Sequence, residues 1–131
     1  LAVVAISEYY SFVLADLPGL IEGASNGKGL GDKFLRHIER TRLIVHILDA
    51  ATQPLDTAYK TIRKELKLYS PKLARKPELV VINKVDLPGA IQNIAKYKAK
   101  LPRNYIAISA LKRSNLDALR KTIARKLATL K

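Results

Sequence analysis

This sequence predicts an α/β fold, a doubly wound and mostly parallel sheet with helices on both faces, on three observations. Strand-length apolar runs alternate with segments of helical periodicity along most of the chain. Several of the runs are near-continuous in Val, Ile and Leu, as parallel strands covered on both faces are. Polar loops follow the strands, and they gather on the edge where such sheets bind ligands.

The first 15 residues hold two β-rich runs, LAVVAI over Leu1–Ile6 and SFVLA over Ser11–Ala15, close enough for a hairpin or adjacent strands. From Asp16 to Gly31 the chain carries Pro18 and five glycines, too much backbone freedom for a regular element, so a long loop is expected. A helix is plausible over Asp32–Arg40, with Phe34, Leu35 and Ile38 on one side. Arg42–Asp49 (RLIVHILD) then reads as a central strand buried on both faces. Asp56 suits the N-cap of a helix running to Tyr69, with Ala58, Ile62, Leu66 and Tyr69 at helical spacing and Ser70-Pro71 as its stop. Ser70–Pro77 is the one linker candidate. Leu79–Ile82 is the next buried strand, Leu87–Lys100 a weaker helix with Pro88 in its first turn, and Tyr105–Ile108 a last short strand. A final helix over Ser114–Leu130 aligns Leu116, Leu119, Ile123, Leu127 and Leu130 in one stripe.

At 131 residues, 48% of them apolar and 27% charged, the chain has the size and balance of one soluble domain with one core. No apolar run approaches the ~18 residues of a membrane span. The absence of cysteine excludes disulfides, thiolate metal sites and a cysteine nucleophile, and two isolated histidines make a histidine metal cluster a poor fit. His46, inside an apolar strand, is expected to be a satisfied core histidine, and His37 to pack within its helix. The start at Leu1, within an apolar run, is unlike a secretory leader and reads as a cut chain. The net charge of +13 is unevenly placed: residues 1–50 hold five basic and six acidic side chains, residues 51–131 nineteen and five. Such a basic half attracts polyanions by counterion release, nucleic acid first and an anionic membrane surface second. Arg120, Lys121, Arg125 and Lys126 on the last helix are candidate phosphate contacts, and the scarcity of aromatics argues for contacts to the backbone of RNA over stacking on its bases.

The loops carry the chemistry. Asp86, in Asn83-Lys84-Val85-Asp86, can accept two hydrogen bonds from N1–H and the N2 amine of guanine, a donor pair that adenine lacks. Asn83 can bond neighbouring loops or the purine N7, and the stem of Lys84 can lie across the ring with its ammonium near the last loop. In Ser109-Ala110-Leu111 the Ala110 N–H is expected to meet the base oxygen. On the phosphate side, Asp16 in Asp16-Leu17-Pro18-Gly19 can hold magnesium through water, and Gly19 can bring its N–H close to a terminal phosphate. Glu22 and Arg36 could couple this loop to a partner or simply form a local ion pair.

The run Asp16-Leu17-Pro18-Gly19-Leu20-Ile21-Glu22-Gly23-Ala24, with Gly29-Leu30-Gly31 and Phe34-Leu35-Arg36-His37-Ile38-Glu39-Arg40-Thr41, closely resembles the Obg family of GTP-binding proteins. The Asn83–Asp86 and Ser109-Ala110 boxes follow in that family's order, so the resemblance covers essentially the whole chain. It implies that residues 1–131 are part of a P-loop GTPase domain, from the strand before switch II to the C-terminal helix. It further implies GTP or GDP as ligand, magnesium as cofactor, slow hydrolysis, and a role in large ribosomal subunit assembly in the cytoplasm, as a monomer that meets the ribosome through its basic half. By this likeness Pro18–Gly31 is switch II, and Leu20 stands where Ras-like proteins carry a water-orienting glutamine.

The sequence departs from that family where the phosphates would be held. No G-x-x-x-x-G-K-[ST] loop and no switch I threonine occur, and Gly23–Gly29, one residue short and without Ser or Thr after Lys28, is no substitute. No catalytic residue is assigned, and the chain as written is not expected to be a competent GTPase. The alternative expectation is a non-hydrolysing basic module that docks on ribosomal RNA or protein.

Overall fold

The computed structural model describes residues 2–7, 10–14 and 41–130. Strands β1 (Ala2–Ser7) and β2 (Tyr10–Leu14) pair antiparallel, Ala2 opposite Leu14 and Ser7 opposite Tyr10, as the hairpin expected of the first two runs. Asp16, Leu17, Pro18 and Gly19, the glycine-rich loop, the helix expected over Asp32–Arg40, and His37 lie outside the described residues.

A second sheet has three parallel strands in the order β3 (Ile44–Asp49), β4 (Glu78–Asn83), β5 (Ile106–Ala107). The crossovers carry helices α1 (Leu55–Tyr69) and α2 (Pro71–Ala74) between β3 and β4, and α3 (Ala90–Tyr97) between β4 and β5; α4 (Leu116–Thr129) follows. The α/β class with a parallel sheet is therefore observed.

The core lies on both faces of β4. Val80 and Ile82 pack with Leu48, Leu55, Ala90, Ile94 and Leu101 on one face, while Leu79 and Val81 pack with Ile108 and Ile123 on the other. That alternation on a fully apolar strand is why Leu79–Ile82 carries no polar residue. It also corrects the placing of the central strand. Among the described residues β3 pairs with β4 alone, and its Ile47 is 62% exposed, so β4 is the strand buried on both faces.

Local chemistry shifts several boundaries. Helix α1 begins at Leu55 with Pro54 at its N-cap, two residues earlier than a helix capped by Asp56 would; the Asp56 carboxylate sits buried in the first turn, near the positive end of the helix dipole, with Lys100 3.8 Å away. Pro88 and Gly89 belong to a turn, Gly89 having φ of +80°, and α3 starts only at Ala90. The expected linker is not one: Ser70 turns the corner, its Oγ accepting Leu73 N–H at 3.1 Å, and Leu73 is completely buried. The stripe on α4 does face the sheet, with Ile123 buried and Leu116, Leu119 and Leu127 partly so.

A polar cluster closes the start of β4. Glu78 accepts from Tyr59 Oη at 2.8 Å and Arg63 Nη1 at 3.2 Å, and lies 3.4 Å from His46 Nδ1. His46 stacks on Tyr59 with ring centroids 5.1 Å apart. Burial pushes the Glu78 carboxyl up, yet the hydrogen bonds from His46 and Tyr59 and the charge of Arg63 outweigh it and hold it below the usual glutamate range. His46 is thus a core histidine bonded through one nitrogen; its Nε2 has no partner among the described residues.

Candidate functional site

The three parallel strands end on one edge, and register places Asp49 beside Asn83 there. Three loops leave this edge: residues 50–54 after β3, 84–89 after β4 and 108–115 after β5. Asn83, Lys84, Asp86, Ser109 and Ala110, picked from the sequence, come together on it through side-chain bonds between the loops.

Asn83 Oδ1 accepts the Ala110 N–H at 2.9 Å, and Ser109 Oγ donates to Asp86 Oδ1 at 2.7 Å. Ser109 is fully buried and also accepts the Lys112 N–H at 3.0 Å, so its hydroxyl is fixed in direction and orients the exposed Asp86 carboxylate. Backbone bonds complete the frame: Val85 N–H to Ile108 O at 3.1 Å, and a reciprocal pair between Ser109 and Ser114 at 3.2 and 2.9 Å. Asp86 is exposed and its Oδ2 has no hydrogen-bond partner among the described residues, which suits an acceptor for paired N–H donors.

Two expectations change. The Ala110 N–H, expected to face a base oxygen, is donated to Asn83. The Lys84 ammonium is held at the end of β3 instead of near the last loop, donating to Asp49 Oδ2 at 2.8 Å. That hydrogen bond, followed by one from the Ala51 N–H, draws the Asp49 carboxyl below the usual aspartate range, and the same bond raises Lys84. Lys84 leaves β4 with a left-handed backbone, φ +70°. Leu111, 82% exposed, projects from the tip of the 108–115 loop.

Asn93 went unrecognised in the sequence. Buried on α3 between Ala90 and Ile94, its Nδ2 donates to Ala50 O and Thr52 O, each at 2.8 Å, and so clamps the loop that begins at Asp49. A polar residue in register with the apolar positions 90, 94 and 97 is the signal that could have found it. Among the described residues no three His, Asp or Glu side chains gather as a metal site, and no helix is long and apolar enough to cross a membrane.

Comparison with known proteins places this geometry in a family. A family model described as 50S ribosome-binding GTPase matches residues 2–84. Proteins named GTPase Obg are similar along nearly the whole chain: that of Roseiflexus castenholzii is 48% identical over 97% of it, that of Halalkalibacterium halodurans 49% over 94%, and that of Bacillus pumilus 47% over 98%. The chain spans about 30% of the length of each of these relatives. With more than half its residues matched by that model, the chain belongs to the 50S ribosome-binding GTPase family.

Proposed function

We propose that this chain is the guanine-reading part of an Obg-like GTPase, which binds GTP and GDP, hydrolyses GTP slowly and acts in assembly of the large ribosomal subunit. The observation that carries the reading is the Ser109–Asp86 hydrogen bond, because it holds a carboxylate at the carboxyl edge of a parallel sheet in one orientation. Guanine N1–H and N2–H₂ then have a fixed acceptor, whereas adenine would leave that carboxylate unpaired at the base. Lys84, tethered to Asp49, offers its four-carbon stem as an apolar surface for one face of the ring. On binding, Ala110 N–H exchanges its Asn83 partner for the base oxygen, or shares the two.

The phosphate side rests on the resemblance alone. Asp16 would hold magnesium through water, and Leu17, Pro18 and Gly19 would line the terminal phosphate; the ion would neutralise charge there. Leu20 cannot orient water by hydrogen bonding, which fits slow turnover. These 131 residues, with no phosphate-loop motif among them, are proposed to bind the base without efficient hydrolysis.

The test is a titration of the 131-residue chain with fluorescent GDP and with ADP in the presence of magnesium, followed also by the amide resonances of Ala110 and Lys112. Guanine-selective binding that moves both resonances is expected. Equal response to the two nucleotides, or none to GDP, overturns the assignment.

A further inference from the structure

The basic half of the chain is not uniformly basic at its surface. On α4, Arg120 is bonded to Asp117, and the shallow groove along that helix, lined by Asn115, Asp117, Lys121 and Arg125, includes the same carboxylate. The corner between α1 and α2 differs. Here Arg63, Lys67 and Arg75, with Pro71 and Ala74, line a cleft of about 360 Å³ that has no acidic residue in its wall.

The sequence explains how this comes about. Between residues 51 and 80 there are three carboxylates, and the fold turns all of them inward: Asp56 is 6% exposed, Glu65 8%, and the Glu78 side chain 13%. Five of the seven cations of the same segment stay outside. Lys60, Lys64 and Lys67 lie at positions i, i+4 and i+7 of α1, spread along about 10 Å of one helix face, and Lys72 and Arg75 carry the charge around the corner. These five are exposed and make no ion pair with a described residue. Arg63 shapes the cleft: its Nη1 bonds Glu78 at 3.2 Å and its Nη2 bonds Ala74 O at 2.8 Å, pinning the end of α2 and with it the backbone that carries Arg75.

We propose that this α1–α2 corner, centred on Lys67 and Arg75, is a docking surface for the phosphate backbone of RNA. It deepens the ribosomal part of the reading above and does not depend on the guanine site, which lies at the opposite ends of the strands. A rigid concave site lined by cations suits a phosphate oxygen group, and successive lysines along a helix suit successive phosphates. A lipid surface fits less well. Membrane-surface helices present an apolar face beside their cations, whereas α1 buries Leu55 and Leu66 inward and exposes the single Leu68.

The experiment measures binding of the chain to a short RNA hairpin by fluorescence anisotropy across a range of KCl concentrations. The double variant Lys67→Glu/Arg75→Glu should bind at least tenfold more weakly at moderate salt and lower the log–log salt slope by about 2, roughly one per lost phosphate contact. The neutral pair Lys67→Gln/Arg75→Gln should show a smaller shift in the same direction, and covers the case in which the reversed pair folds poorly. The pair Lys121→Glu/Arg125→Glu tests the rival surface, the phosphate contacts expected of α4 from the sequence; with the corner as the docking surface it should change affinity less than threefold, and GDP binding should be unaltered in all three. An unchanged slope in the corner variants, an equal loss in the α4 pair, or binding to phosphatidylserine vesicles without binding to RNA overturns the proposal. If 50S subunits fail to compete with a hairpin that the corner does bind, the surface stands and the ribosomal reading falls.

Discussion

Ser109→Ala removes the group on which the proposed base-reading edge turns. The hydroxyl is fully buried, donating to Asp86 Oδ1 at 2.7 Å and accepting the Lys112 N–H at 3.0 Å. A hydrogen bond to an ionised carboxylate contributes about 1.5–3 kcal/mol to stability or binding. Water replaces part of that at the exposed Asp86, which leaves about 1–2 kcal/mol of carboxylate orientation to be lost. GDP should therefore bind about 5- to 30-fold more weakly, with ADP unaffected. Competition against fluorescent GDP reads the affinity, and urea unfolding of the same samples shows that the variant remains folded under the binding conditions. A double-mutant cycle with Asp86→Ala then decides the route: if Ser109 acts through Asp86, the two losses fall well short of adding. Unchanged GDP affinity, an equal loss for ADP, or strict additivity would each refute the reasoning.

Asn93→Ala should cost about 2–3 kcal/mol by leaving the Ala50 and Thr52 carbonyls without their shared donor, and should speed hydrogen exchange in residues 50–54, read by exchange mass spectrometry. Leu73→Ala should destabilise by about 2–5 kcal/mol in urea, since the residue is fully buried; a linker residue would show almost nothing. The Glu78 cluster makes stability depend on pH at both ends. Because the folded-state carboxyl titrates below its ordinary value of 4.5, its contribution is intact above that pH and declines as the pH falls through the lowered value. Tyr59 is shifted the other way, to about 12, by burial and then by its bond to Glu78, so its contribution is intact below pH 10 and lost as the pH rises through about 12. An ultraviolet titration should show a late tyrosinate that is lost in Tyr59→Phe.

Periodicity was enough to place α1, β4, α4 and the first hairpin, because each is governed by which residues are apolar and how far apart they fall. It could not place the ends. Asp56 has the side chain of an N-cap, yet Leu55 is fully buried in the core, and that packing starts the helix two residues earlier. Ser70–Pro77 looks like a linker by composition, whereas one leucine, Leu73, folds it into the core. The residues of the proposed base edge could be picked out because they fall in two short local boxes, which the fold brings together. Their partners could not: Asp49 and Asn93 reach the edge through contacts 35 and 41 to 43 residues away in the chain, and no local pattern encodes such a distance.

Three residues other than glycine have left-handed backbones among those described, Lys84 at φ +70°, Arg113 at +57° and Asn115 at +63°, and all sit in two of the three loops of the proposed base edge. For a residue with a Cβ, that conformation costs roughly 1–2 kcal/mol. Glycine would relieve it, so a search for heat-resistant variants by survival alone would drift toward glycine at 84 and 113 and strip two cations from this edge. Proteins improved in that way would outlast the original on heating while holding their ligand less well, a trade-off confined to a few loop residues and invisible to any screen that never offers the ligand.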